Sequence, residues 1–455
     1  MVVTVSRKWI GVALLCLPIM PIPVAAETLH TALISAYKSS GLLKQQRAVL
    51  RAADEDAASA VAALRPVLSY AANATRASSG AAGGQYNNSS SVALQAELTL
   101  YDFGRTRLAI KSAKESVLLS RDALLAAEQQ VLLRAVTAYA NLRLAQSTLN
   151  LRSNNVRVIT KELRAARDRF EVGEVTRTDV SLAEARLASA RALHASAQGQ
   201  QLNAREEFRV AVGRLPNGGL KVPATAKIAR SEKKVVEIAV KNHPQISQSR
   251  RNTALADLGV ARAKAAFNPT LSAKAQFSED NKRRENKSLS VQLSGPLYAG
   301  GALSSAVRKA AANRDAAFAG LHMTTLSVEQ NARTAWNQLQ VAGASREASN
   351  RGIRASRSAF EGVREEAQVG SRTTLDVLNA EQELLNAKVD GASSAANQVI
   401  ASYKVLETMG LLTATHLNLD VPVYDPTAYY NAVKSAPSQS IQGKKLDRIL
   451  KSIGQ

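Results

Sequence analysis

Few side chains in this 455-residue chain are spaced for covalent chemistry. The histidines (His30, His194, His243, His322 and His416) are scattered, without metal-ligand spacing. There is no Gly-x-Ser-x-Gly elbow, phosphate loop or dinucleotide fingerprint. The expectation is therefore no enzyme, no cofactor and no metal. The polar residues that do form a pattern sit in a repeated motif. Val172-Gly173-Glu174-Val175-Thr176-Arg177-Thr178-Asp179-Val180 recurs 197 residues later as Val369-Gly370-Ser371-Arg372-Thr373-Thr374-Leu375-Asp376-Val377, and nine of twenty residues are shared through Arg191 and Lys388. Such residues can do reversible chemistry. Asp179 and Asp376 can N-cap the helix that follows each turn. Because the two turns are equivalent, they should lie at the same height in the fold.

A duplication implies that one supersecondary unit was copied. The same offset superposes Leu100-Tyr101 on Leu297-Tyr298. Two long copies are too few for a solenoid, so closure through oligomerisation is expected. Each copy reads as helix, strand pair, very long helix, short break, second helix. Thr28 to about Leu64 is helical in pattern and stops at Pro66. Strands are predicted over 67–75 and 91–101, then over 269–278 and 288–298. In 91–101, Val92, Leu94, Ala96, Leu98 and Leu100 alternate with Ser91, Ala93, Gln95, Glu97 and Thr99. Alternation alone fits a soluble hairpin packed on helices. It also fits barrel strands with apolar side chains to lipid and polar ones to a wet lumen. Four strands cannot close a barrel, which needs about eight. Three chains would supply twelve.

From Arg105 to Glu171 no proline or glycine interrupts a helix-forming run, roughly 100 Å of helix. Residues 302–368 repeat it without proline. The returning helices carry small residues every seven positions: Ala183, Ala190, Ala197, Ala204 and Ala211, then Ala380, Ala387, Ser394, Ala401 and Thr408. That spacing allows close approach along one seam. On its own it would suit a soluble coiled coil. The expected organisation is a first repeat over 27–228, with helices to 214 and an equatorial segment at 215–228. A second repeat covers 229–425, with helices to 412, and a flexible basic tail covers 426–455.

Residues 1–26 read as a secretory signal peptide: basic Arg7 and Lys8, an apolar run broken by prolines, and Val24-Ala25-Ala26 before Glu27. Cys16, the single cysteine, lies inside it. Removing the leader leaves 57 basic and 37 acidic residues, about +20. These charges alternate along helices, as in Arg205-Glu206-Glu207, which is the look of a solvated face. Nucleic acid is not expected as a partner. Anionic envelope lipid or an acidic cargo suits the charge better.

The doubled Val-Gly-x-x-Thr-x-x-Asp-Val, the Leu-Tyr-Asp-Phe-Gly of 100–104 with Leu-Tyr-Ala-Gly-Gly of 297–301, and the Gly-Leu-Leu-Thr-Ala of 410–414 together resemble the TolC family. Those are outer-membrane channel-tunnel proteins of Gram-negative bacteria, and the resemblance covers about residues 27–430. It implies a mainly α fold with a small β part, in which duplicated units form a homotrimer. The trimer would join a twelve-stranded β-barrel in outer-membrane lipid to a twelve-helix α-barrel crossing the periplasm. The resemblance also implies a passive exit duct that meets a periplasmic adaptor (membrane fusion) protein and an inner-membrane ABC or proton-driven transporter. The hairpin turns Val172-Gly173 and Val369-Gly370 would form the docking end. Thr178 and Asp179 match the acceptors of polar links that close this end, and Arg372 matches the bridging arginine. Ala367 stands where the family often has a tyrosine. Asp376 matches a constriction-ring carboxylate, while the second ring position is Asn379. The Val-Pro-Val-Tyr-Asp-Pro of 421–426 looks most like members serving type I protein secretion; drug or metal efflux is the alternative. A periplasmic coiled-coil adaptor would need one hairpin with flanking β-domains, against which the full duplication speaks.

Overall fold

Two 67-residue helices set the scale of the molecule. Each begins after a left-handed glycine, Gly104 at φ +87° and Gly301 at φ +86°. The computed structural model describes residues 26–78, 86–434, 444, 445 and 448. Nearly all of the leader expected at 1–26, and most of the flexible basic tail expected over 426–455, lie outside those residues. The first copy comprises α1 (Leu29–Ser39), α2 (Gly41–Ala62), β1 (Val67–Ser78), β2 (Tyr86–Tyr101), α3 (Arg105–Glu171) and α4 (Arg177–Val212). The second comprises α5 (Glu232–Asn242), α6 (Pro244–Ala265), β3 (Thr270–Asp280), β4 (Glu285–Ser294), α7 (Ala302–Gln368) and α8 (Thr374–Thr408), and α9 (Ala428–Val433) follows it.

The strands make one antiparallel sheet in the order β1-β2-β3-β4. The β2–β3 pairing therefore joins the two copies. Leu94 lies opposite Tyr70 and Phe277, and Gln95 lies opposite Ser69 and Gln276. One face thus carries Leu68, Tyr70, Val92, Leu94, Leu289, Val291 and Leu293. The other carries Ser69, Gln95, Glu97, Lys274, Gln276 and Ser290. In the isolated protomer the apolar face is bare, with Tyr70 82% and Leu289 80% exposed. Among the described residues no helix is long and apolar enough to cross a membrane.

α4 packs along α3 and α8 along α7, with α2 and α6 against the long helices. The small-residue seam is buried where the long helices meet it: Ala183, Ala190 and Ala197 are 4% exposed or less. The main core lies at mid-height around Leu132, Val136, Tyr139, Phe208 and Leu412. Here the segment after α4 is tied across α3. The Tyr139 hydroxyl donates to the carbonyls of Glu27 and Lys221, both at 2.8 Å. Arg214 forks onto the buried Glu27 carboxylate at 2.7 and 2.8 Å, and these bonds, together with those from Thr31 and Asn217, outweigh burial to hold that carboxyl below its usual range.

Several expected boundaries shift. The helix expected from Thr28 to Leu64 breaks at Ser40, whose hydroxyl accepts from the Leu43 amide and starts α2. Ser and Gly adjacent make that break inexpensive. β2 begins at Tyr86, so residues placed in the loop by their polarity continue the ladder with β1. β4 ends at Ser294 rather than 298, because Gly295 packs against Pro269 and Pro296 cannot donate to a ladder. α4 and α8 stop at Val212 and Thr408, short of 214 and 412. The chain also does not thin out at Pro426. α9 packs on α2, and Tyr429 donates to Glu55 at 2.6 Å.

Candidate functional site

The repeated motif is two local devices in succession. At the end of α3 the Glu174 amide donates to the Arg169 carbonyl (2.9 Å) and Gly173 to Phe170 (3.0 Å), with Gly173 at φ +78°. At the end of α7, Ser371 donates to Glu366 (3.0 Å) and Gly370 to Ala367 (3.3 Å), with Gly370 at φ +79°. This is the six-to-one and five-to-two pattern of a helix stopped by a left-handed residue, which glycine alone adopts without strain. The next helix starts four residues after each glycine. Thr176 and Thr373 are its N-caps, and Asp179 and Asp376 return the bond from the third position. The aspartates thus complete capping boxes and are not themselves the N-caps. The Thr-x-x-Asp spacing carries that signal in the sequence.

Both capping bonds at each aspartate fall on Oδ2. Among the described residues Oδ1 makes no hydrogen bond. At Asp179 the Thr176 side chain and then its backbone amide hold the carboxyl below the usual range. At Asp376 the Thr373 backbone leads the same effect. Both are carboxylates at neutral pH.

The two turns meet around one cavity of about 1080 Å³, lined among others by Arg169, Asp179, Ala367, Arg372 and Asp376. Asp179 and Arg372 are thus brought to one space. They are not bonded to each other in the protomer. Arg372 Nε donates instead to Glu366 Oε2 at 2.7 Å, which raises the guanidinium further above its ordinary range, with the Glu366 and Asp376 charges adding to the effect. Thr178 is exposed and does not line the cavity. Asn379 accepts from Arg186 Nη2 at 3.0 Å, joining α4 to α8 one turn above Asp376. Sequence reasoning missed Glu366 and Arg186. Val172 and Val369 project from the tips, 71% and 81% exposed. The cavity sets the capped carboxylates of Asp179 and Asp376 near the guanidiniums of Arg169 and Arg372.

The family model for outer membrane efflux proteins matches residues 33–214 and 235–411. The outer membrane efflux protein BepC of Brucella suis biovar 1 is 33% identical over 416 residues, covering 90% of this chain and 91% of that protein. The alkaline protease secretion protein AprF of Pseudomonas aeruginosa is 26% identical, covering 72% and 71%. The Campylobacter jejuni CmeC outer membrane channel superposes with a TM-score of 0.77 at 17% identity, covering 90% of both chains.

Proposed function

Because this chain belongs to the outer membrane efflux protein family, we infer that it is a passive exit duct whose hairpin end is a polar gate. As a homotrimer in the outer membrane, extending into the periplasm, it works with a periplasmic adaptor and an inner-membrane transporter. A sheet with one apolar face and two open edges carries this reading. Three such sheets close into one barrel, with lipid outside and a wet lumen inside. The family is one of channels, and the chain acts without catalysis: the transporter supplies the energy. Its cargo includes secreted protein, a reading supported by the likeness to AprF and by the Val-Pro-Val-Tyr-Asp-Pro segment.

In the gate, Arg372 stays anchored on Glu366 through Nε and offers its terminal nitrogens to the free Oδ1 of Asp179. Asp376 forms a ring of three carboxylates, with Asn379 as a neutral second tier. The exposed Val172-Gly173 and Val369-Gly370 tips seat the adaptor. Mass measurement in detergent and single-channel recording test the duct together. A trimer with discrete conductance steps is expected, and a stable monomer or a silent bilayer overturns it.

A further inference from the structure

When the apolar face of the sheet meets lipid, the face carrying Glu97, Thr99 and Lys274 lines the lumen. On that face Lys274 neutralises Glu97 at 3.5 Å. One step toward the helices the balance changes. A cavity of about 610 Å³ opens between the start of α3, the end of α6 and the first residue of β3. Thr99 and Thr270 lie on its strand side, and Arg105 and Arg262 on its helix side. Arg105 donates Nη1 to Thr270 Oγ1 at 3.2 Å, which holds that guanidinium toward the lumenal face.

Asp102 is the acidic residue lining this space. Its Oδ1 accepts from the Gly104 amide at 3.0 Å and its Oδ2 from the Thr106 amide at 2.6 Å. The Thr106 side chain, then these amide bonds, overcome burial to keep its carboxyl below the usual range, with the Arg105 charge helping. The carboxylate is occupied in starting α3. Among the described residues neither Arg105 nor Arg262 forms an ion pair within the 4.0 Å at which the other pairs are found. Each protomer thus sets two guanidiniums against one committed carboxylate, at the level where the sheet gives way to the helices.

We propose that Arg105 and Arg262 form a binding site for anionic groups, carboxylate or phosphate, on cargo passing through the lumen. Guanidinium forks match both groups geometrically. Trimer symmetry repeats the pair into a ring of six, so a passing anion is handed between equivalent positions rather than held at one. The large positive charge of the chain raises the local concentration of such cargo in the same sense. This inference rests on the duct reading above and adds the charge class of what the duct prefers.

The test is block of single channels by inorganic tripolyphosphate added on the barrel side, in about 0.1 M salt, where screening extends over about 10 Å. Arg262→Gln is the principal variant, because that side chain makes no hydrogen bond among the described residues. The Arg105→Gln/Arg262→Gln double and the Arg262→Lys variant complete the set. All are first checked as trimers in detergent, and Arg262→Gln alone carries the test if the double does not assemble. The half-blocking concentration is expected to rise about tenfold in the double variant and less in Arg262→Gln. Arg262→Lys should fall between wild type and Arg262→Gln, since charge is kept and the fork is lost. Equal block of wild type and Arg262→Gln, with normal conductance steps, overturns the site while leaving the duct intact. Absence of steps in wild type sinks the duct reading instead.

Discussion

Arg372 is bonded to Glu366 across its own turn, Nε to Oε2 at 2.7 Å, while Asp179 at the neighbouring turn is bonded to Thr176. Each candidate gate residue is thus positioned by its own hairpin before it meets the other.

Removing either partner should loosen closure. Arg372→Ser or Asp179→Ala is expected to raise the open population in planar bilayers about two- to fivefold, as an exposed pair allows. The double variant should exceed both, since Ala367 leaves few further links. Glu366→Gln should act in the same direction by releasing the anchor. If the double variant conducts like wild type, these residues serve only to fold the turns.

The sheet faces can be told apart by charge. Leu94→Arg places a cation on the apolar face and should cost about 2–4 kcal/mol near mid-bilayer. Trimer yield in outer-membrane fractions should collapse. Gln95→Arg points to the lumen and should assemble normally. Equal yields would return the sheet to a soluble packing role.

Asp54 in α2 is fully buried, and neither carboxyl oxygen has a hydrogen-bond partner among the described residues. Burial pushes its carboxyl up to about 6, the Glu55 charge adding and the Arg121 charge opposing. The folded state therefore holds this proton more tightly than the unfolded chain. Stability is full below about pH 4 and falls as pH rises through about 6, by about 2–3 kcal/mol at this site. Asp54→Asn should stabilise the trimer at pH 7.5 and flatten the slope between pH 4 and 6. Thermal dissociation followed against pH would reveal it, and an unchanged slope would place the charge elsewhere.

Gly410 closes the second copy at φ +74°, and a Cβ there would meet the Asn242 carbonyl oxygen at 2.6 Å. Gly410→Ala combines left-handed strain, about 1–3 kcal/mol, with a backbone clash. Gly104→Ala shares the strain at φ +87° but meets open space. The melting temperature should fall clearly further for Gly410→Ala. Equal shifts would show that α5 yields to the added methyl.

What could be read in advance was what is local or periodic. The Gly173 and Gly370 turns, the Leu94/Gln95 alternation and the length of α3 are each specified by residues within a few positions of one another. The break at Ser40 carried a weak serine–glycine signal inside a strong helical pattern, and the pattern dominated the reading. Glu366 was invisible as a partner because its bond to Arg372 depends on how the turn folds back. The Arg105–Arg262 cavity joins residues 157 positions apart, and only the packing of α6 on α3 beside the β2–β3 pairing reveals it. The docking of α9 was missed for a related reason. Its tyrosines look like tail residues until Glu55 and Arg121 are seen beneath them.

The two outer edges of the sheet, on β1 and β4, are unpaired within one chain. Their amides and carbonyls find partners only when three copies meet, so one faulty strand spoils two good neighbours. In a cell producing equal amounts of intact and edge-defective chains, random mixing leaves about one-eighth of trimers wholly intact. Damage confined to β1 or β4 should therefore be genetically dominant. Loss of the whole gene product from one copy, which halves supply without poisoning assembly, should be far milder.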